Sequence, residues 1–165
     1  MVKESILVFD VDRTILKGST GRLFATRAIK EGVLPFYALF LVPYYLLHYQ
    51  LGNMGDRFFD RKFPLLSGIS KERLDRLAGN CFTEKIKPRL YKEACTIIAE
   101  AKQKGKTVLL ATSSIDIIID PLAVYLDVSY LATQLEIVHG YSTGYFIPPP
   151  VVGKEKKQQV IKYLE

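Results

Sequence analysis

Asp10 and Asp12 stand two positions apart, directly after the apolar run Ile6-Leu7-Val8-Phe9. Two carboxylates at the carboxyl end of a buried strand form a compact acidic pair where open α/β sheets place their ligands. Left unpaired they repel each other, and a hard cation such as Mg²⁺ offsets that cost, because it takes oxygen ligands and bridges carboxylates to a substrate phosphate. In that setting Asp10 can attack phosphorus as a carboxylate nucleophile and Asp12 can handle protons. Thr112 and Ser113 follow a second apolar strand, where hydroxyls and loop N–H groups can hold phosphate oxygens. Lys156, near the start of the last helix, can neutralise growing negative charge.

Each of these has a plain structural explanation when taken singly. Asp-x-Asp occurs in many loops, Ser and Thr are common helix caps, and a lysine near a helix start is usually solvated. What gives them weight is their joint order, each at a strand end or a helix start, which is the pattern of a phosphoryl-transfer site.

The elements that must position them are readable in outline. Ile6 to Phe9 reads as a strand covered on both faces, and Thr107 to Ala111 as a second. Ala94, Ile97, Ile98 and Ala101 recur at helical spacing ahead of that second strand, with Gly105 as terminator. Helix followed by buried strand predicts an α/β fold with a Rossmann-like parallel sheet. Ser114-Ile115-Asp116 supplies capping candidates for a helix running toward Leu126, and Val128 to Ala132 reads as another short strand. A polar loop then leads to a hairpin of Leu135–Val138 and Tyr141–Phe146 around His139-Gly140. Pro148-Pro149-Pro150 closes that region as an extended loop. The stretch 155–164 puts Val160, Ile161 and Leu164 on one face and predicts a helix laid back on the sheet.

Between the two clear strands lies a long insert with helical periodicity and almost no strand signal. The expected division is an α/β core of residues 1–17 and 88–165 with an inserted helical cap of residues 18–87. Residues 33–49 carry no charge and approach the length of about 20 apolar residues that spans a bilayer. A single crossing would put Asp10 and Thr112 on opposite sides of the membrane and split the sheet. Pro35 and Pro43 punctuate the run, and Tyr37, Tyr44 and Tyr45 suit an interface. Three readings are to be separated: a buried cap core, a peripheral membrane contact or lipid-binding cap, and, least favoured by this topology, a true span.

The chain has 165 residues and a formal net charge of +6, enough for one substantial core and attractive to a phosphorylated substrate or an anionic membrane surface. No nucleic-acid motif accompanies the charge, so nucleic acid is not an expected partner. Cys81 and Cys95 form no CxxC or zinc spacing and read as packing residues in a reducing compartment. The apolar run near the amino terminus is too short for a signal-peptide core, so the expected location is cytoplasmic, with peripheral membrane contact as the alternative.

ILVFDVDRTI resembles the first motif of the haloacid dehalogenase (HAD) superfamily, VLLATSS its second, and Lys156 in VVGKEKKQQV its third, with Lys154 and Lys157 as rivals. The resemblance runs along essentially the whole chain and is to the subclass related to phosphoserine phosphatase with a helical cap. It implies an aspartyl-phosphate on Asp10, acid/base work by Asp12, phosphate binding by Thr112 and stabilisation of the transferred group by Lys156. It also implies Mg²⁺ held by the Asp10 carboxylate and the Asp12 backbone carbonyl. Dehalogenases of this family use no acid at the Asp12 position, so the resemblance favours phosphoryl transfer, chiefly to water.

Two departures qualify the picture. A fourth acidic motif, which follows the third in the family, has no counterpart in the nine residues after Lys156, so the chain is expected to be a fragment of a longer protein. Phosphoserine phosphatases also carry glutamates soon after the first motif, where this chain has Lys17-Gly18-Ser19-Thr20-Gly21. Relatives with long apolar caps act on phosphatidylglycerophosphate or are fused to membrane acyltransferases. The expected activity is thus Mg²⁺-dependent hydrolysis of a lipid or other amphipathic phosphomonoester. The alternatives are a catalytically incomplete module that binds a phosphorylated ligand or membrane, and a phosphotransferase to an alcohol.

Overall fold

The computed structural model describes residues 6–38, 40–41 and 62–164. Its centre is a sheet of four strands in the order β1 (Ile6–Phe9), β2 (Thr107–Ile115), β3 (Ser129–Val138), β4 (Tyr141–Ile147). β1 runs parallel to β2 in the register Ile6↔Thr107 to Phe9↔Leu110, and β2 runs parallel to β3. β4 returns antiparallel to β3. The expected α/β fold with a parallel sheet is therefore present.

Helices fill the connections. α1 (Thr20–Lys30) and α2 (Lys71–Cys81) lie between β1 and β2, α3 (Lys92–Gln103) leads into β2, α4 (Asp116–Leu126) joins β2 to β3, and α5 (Gly153–Leu164) follows the hairpin. The Ser70 side chain accepts the Arg73 N–H at the start of α2, and α2 continues through a π turn over Phe82–Ile86. α4 is apolar nearly all round, and it buries Ile117, Ile118, Ile119, Leu122 and Ala123 while Val124 and Tyr125 stay exposed. Its Ile119 and Leu122 belong to one continuous core with Leu74 and Leu77 of α2 and Phe24 and Ala28 of α1. Burying each such leucine or isoleucine contributes about 1.5–3 kcal/mol, so the insert and the sheet stabilise one another. The carboxyl end of α4 is satisfied by Lys102, whose ammonium donates to the Leu126 carbonyl and to Asp127.

Several expectations change in detail. Val128–Ala132 and Leu135–Val138 join into the single ten-residue strand β3, with a register irregularity between Leu135 and Ile137. Thr133 and Gln134 gave this stretch the look of a loop. In the structure Thr133 is buried and its hydroxyl accepts the Val151 N–H, which satisfies it inside a strand. β2 runs on to Ile115, so Ser114 lies in the strand and does not cap α4. β1 is not covered on both faces: Val8 is 41% exposed, and β1 pairs with β2 on one side only among the described residues. α5 buries no residue, and Ile161 and Leu164 face solvent. Instead of lying back on the sheet by its apolar stripe, α5 is tied down at its amino-terminal half. Val151 and Val152 are buried just before it, and Gln159 donates to the Pro149 and Pro150 carbonyls.

His139 and Gly140 both have positive φ, the backbone of the tight hairpin turn expected there. The far edge of the hairpin is covered by residues 63–71. Phe63 N–H donates to Gly144, Gly68 N–H to Ser142, Ser142 N–H to Ile69, and Lys71 N–H to Gly140. Gly144 has φ +83°, and a Cβ there would lie 2.8 Å from the Phe63 carbonyl oxygen. Gly144→Ala is expected to lower stability by about 2 kcal/mol, combining left-handed strain with a backbone clash. Gly105→Ala, at φ +68° with nothing within 4 Å, should cost only the strain, about 1 kcal/mol. Urea unfolding midpoints of the two variants check the difference; equal losses would show that residues 63–71 yield freely.

Candidate active site

The loop after β1 folds by backbone bonds of its own. Thr14, Ile15 and Leu16 N–H groups all donate to the Val11 carbonyl, and Arg13, at φ 62°, donates to Leu16 and Gly18. Val11, Ile15 and Leu16 are buried. With Val11 turned into the core between them, Asp10 and Asp12 both remain partly accessible.

Asp10 is met by Lys156, whose Nζ lies 2.6 Å from Oδ1, across 146 sequence positions. Lys156 sits in the first turn of α5 and is partly buried, whereas its neighbours Lys154 and Lys157 are exposed. The geometry therefore separates the three lysines that the sequence left open. Thr14 reaches the other Asp10 oxygen at 3.4 Å, a long contact. Asp10 and Lys156 side chains are 43% and 29% exposed, so the pair adds little to stability, on the order of 1 kcal/mol or less.

Asp12 faces a different partner: its Oδ1 accepts the backbone N–H of Thr20 at 2.9 Å, at the first residue of α1. Thr112 and Ser113 lie at the same sheet end, because the in-register pairing of Phe9 with Leu110 sets Asp10 beside Ala111. Thr112 is buried and its hydroxyl accepts the Ser114 N–H; Ser113 is partly exposed. The fold thus gathers all five predicted residues at one end of the sheet and joins Asp10 directly to Lys156.

The oxygen donors of Asp10 and Asp12 fit a hard cation that keeps most of its water. Among the described residues no cluster of three or more acidic, cysteine or histidine side chains offers a fuller cage.

Sequence reasoning missed Thr20, and it offered Ser114 and Asp116 only as capping candidates. The Thr20 hydroxyl donates to Ser114 Oγ at 2.8 Å, a contact between residues 94 positions apart that no local pattern announces. Asp116 Oδ1 accepts both Ile117 N–H and Leu135 N–H, tying α4 to β3, and burial pushes its carboxyl above the usual range. A cleft of about 280 Å³ lined by Asp116, Tyr130, Gln134 and Gln159 opens beside β3, and none of the five predicted residues lines it. Cys81 is buried and Cys95 partly so, both free, and burial pushes the Cys81 thiol up to about 11.

The expectations for residues 33–49 divide at the limit of what is described. Leu34 and Ala38 are buried, Phe36, Tyr37 and Phe40 are exposed, and residues 42–49 lie outside the described residues. No described helix is long and apolar enough to cross a membrane.

The family profile for haloacid dehalogenase-like hydrolases matches residues 7–164. No curated protein matches the sequence. A solved structure of a protein of unknown function from Bordetella pertussis Tohama I is similar, with a TM-score of 0.84 and 21% identity, covering 97% of this chain and 74% of that one. A HAD family hydrolase from Salmonella enterica serovar Typhi aligns with a TM-score of 0.69 and 18% identity over 96% of this chain and 50% of its own. A phosphoserine phosphatase, solved as a phospho-aspartyl intermediate analogue, aligns at 0.65 and 20% identity over 98% and 71%. At these identities the likeness is one of fold.

Proposed function

Because the chain belongs to the haloacid dehalogenase-like hydrolases, we propose that it is a phosphatase that hydrolyses phosphomonoesters through an aspartyl-phosphate on Asp10. The observation that carries this reading is the Lys156 ammonium 2.6 Å from Asp10 Oδ1 at the strand end shared with Thr112. The contact sets a carboxylate that can attack phosphorus next to an ammonium that can balance the charge of a bound anionic group.

Asp10 attacks phosphorus as the ester P–O bond breaks, and Asp12 gives its proton to the leaving alcohol oxygen. Asp12 then takes a proton from the water that attacks the acyl phosphate, freeing Asp10 and inorganic phosphate. Thr112 holds a phosphate oxygen through its hydroxyl proton, since that hydroxyl accepts Ser114 N–H with its lone pair. Ser113 adds a second polar contact, and Lys156 balances charge on the transferred group. The Asp10 carboxylate and the Asp12 backbone carbonyl would hold Mg²⁺, which would supply further neutralisation of the phosphate oxygens. In this reading the described residues between 18 and 87 belong to a cap domain inserted between β1 and β2.

A lipid or other amphipathic phosphate is the substrate class this reading favours. Phe36, Tyr37 and Phe40 are exposed aromatics within an uncharged run, a composition suited to peripheral contact with a membrane surface. The test is phosphate release from a panel of soluble and lipid phosphomonoesters, with Mg²⁺ and with excess chelator. Release is expected with Mg²⁺ and should fall by at least about 10²-fold on chelation. Binding of phosphate or vesicles by folded protein without release from any ester would instead favour a phospho-ligand or membrane-binding module.

A further inference from the structure

The start of α1 is held in an unusual way. Its N-cap residue, Ser19, makes no side-chain cap bond, and its first turn has no acidic residue. The N–H of Thr20 is satisfied instead by Asp12, from the loop after β1. Helix starts leave N–H groups without intrahelical partners, and a carboxylate is a strong acceptor for them. A side chain proposed for proton transfer is thus also the cap of the helix.

Thr20 carries a second bond at the same point. It is fully buried, and its hydroxyl donates to Ser114 Oγ at 2.8 Å. Ser114 N–H in turn donates to Thr112 Oγ1 at 3.1 Å. Asp12, Thr20, Ser114 and Thr112 therefore form one chain of hydrogen bonds from the acid/base candidate to the phosphate-binding candidate, passing through the first residue of α1.

Resting on the phosphatase reading above, we propose that Thr20 is a positioning residue that sets Asp12 and Thr112 as a unit, so that the placement of α1 governs both phosphate binding and turnover. A merely structural buried threonine would affect stability when changed. A positioning residue moves affinity and kcat in proportion to the loss of its hydroxyl.

Thr20→Val keeps the shape and the N–H to Asp12 and removes only the hydroxyl. It is expected to weaken inorganic phosphate binding about fivefold and to lower kcat about tenfold. Thr20→Ser, which restores the hydroxyl, should return both to within about twofold. Ser114→Ala should reproduce Thr20→Val, and the double variant should be no worse than either single change, as for residues acting through one contact. If Thr20→Val fails to fold, Ser114→Ala carries the test, since Ser114 is only partly buried. Calorimetric phosphate affinity decides the matter even if no ester is hydrolysed, which would count against the phosphatase reading alone. Unchanged phosphate affinity in the variants, no rescue by serine, additive effects, or no phosphate binding by the unaltered protein would overturn the proposal.

Discussion

Asp10→Asn is expected to abolish phosphate release, by about 10³-fold or more, while leaving the fold intact. The change is nearly isosteric and takes away the charge that the proposed nucleophile needs. Its structural cost is small, because the carboxylate is 43% exposed and its pair with Lys156 is partly screened. The melting temperature should therefore change little while activity disappears. Steady-state release on the best ester of the panel, together with a thermal melt, separates the outcomes. Retained turnover in a well-folded Asp10→Asn variant would remove Asp10 from the chemistry.

Lys156→Met is expected to lower kcat by about 10²–10³-fold, the size typical of losing one fixed group aimed at transition-state charge. Methionine keeps the aliphatic length, so the start of α5 should stay in place. Lys154→Met and Lys157→Met, at exposed neighbours, provide the contrast and should stay within about twofold of the unaltered protein. The same ester assay across the three variants reads the pattern. Equal losses at all three positions would point to a general electrostatic field and not to a contact at Asp10.

The parallel strands of the sheet were legible where apolar runs are continuous, as in Ile6–Phe9 and Thr107–Ala111, but their order was not. The hairpin was legible because Gly140 permits the positive φ its turn requires. Thr133 and Gln134 hid the continuity of β3, since a strand that satisfies its threonine through a distant N–H looks polar in sequence. The apolar stripe of α5 misled for the opposite reason. Periodicity fixes which residues share a face, but not what covers that face. At the site, Asp10 and Asp12 stood out by spacing alone. Lys156 was separable from Lys154 and Lys157 only once α5 was placed, and Thr20 had no signal because its partner is 94 positions away.

The contact between Asp10 and Lys156 spans 146 positions, whereas the β3–β4 hairpin closes over the two residues His139 and Gly140. Closing a long loop costs more chain entropy than closing a short one, by about 0.6 kcal/mol for each doubling. The hairpin is thus a local achievement, and the charged pair exists only when β1, β2 and the start of α5 are all in place. A chain that has formed much of its secondary structure still lacks the proposed reactive centre. Phosphate release from this protein would therefore count the fully assembled population, and helix content by circular dichroism would overstate it.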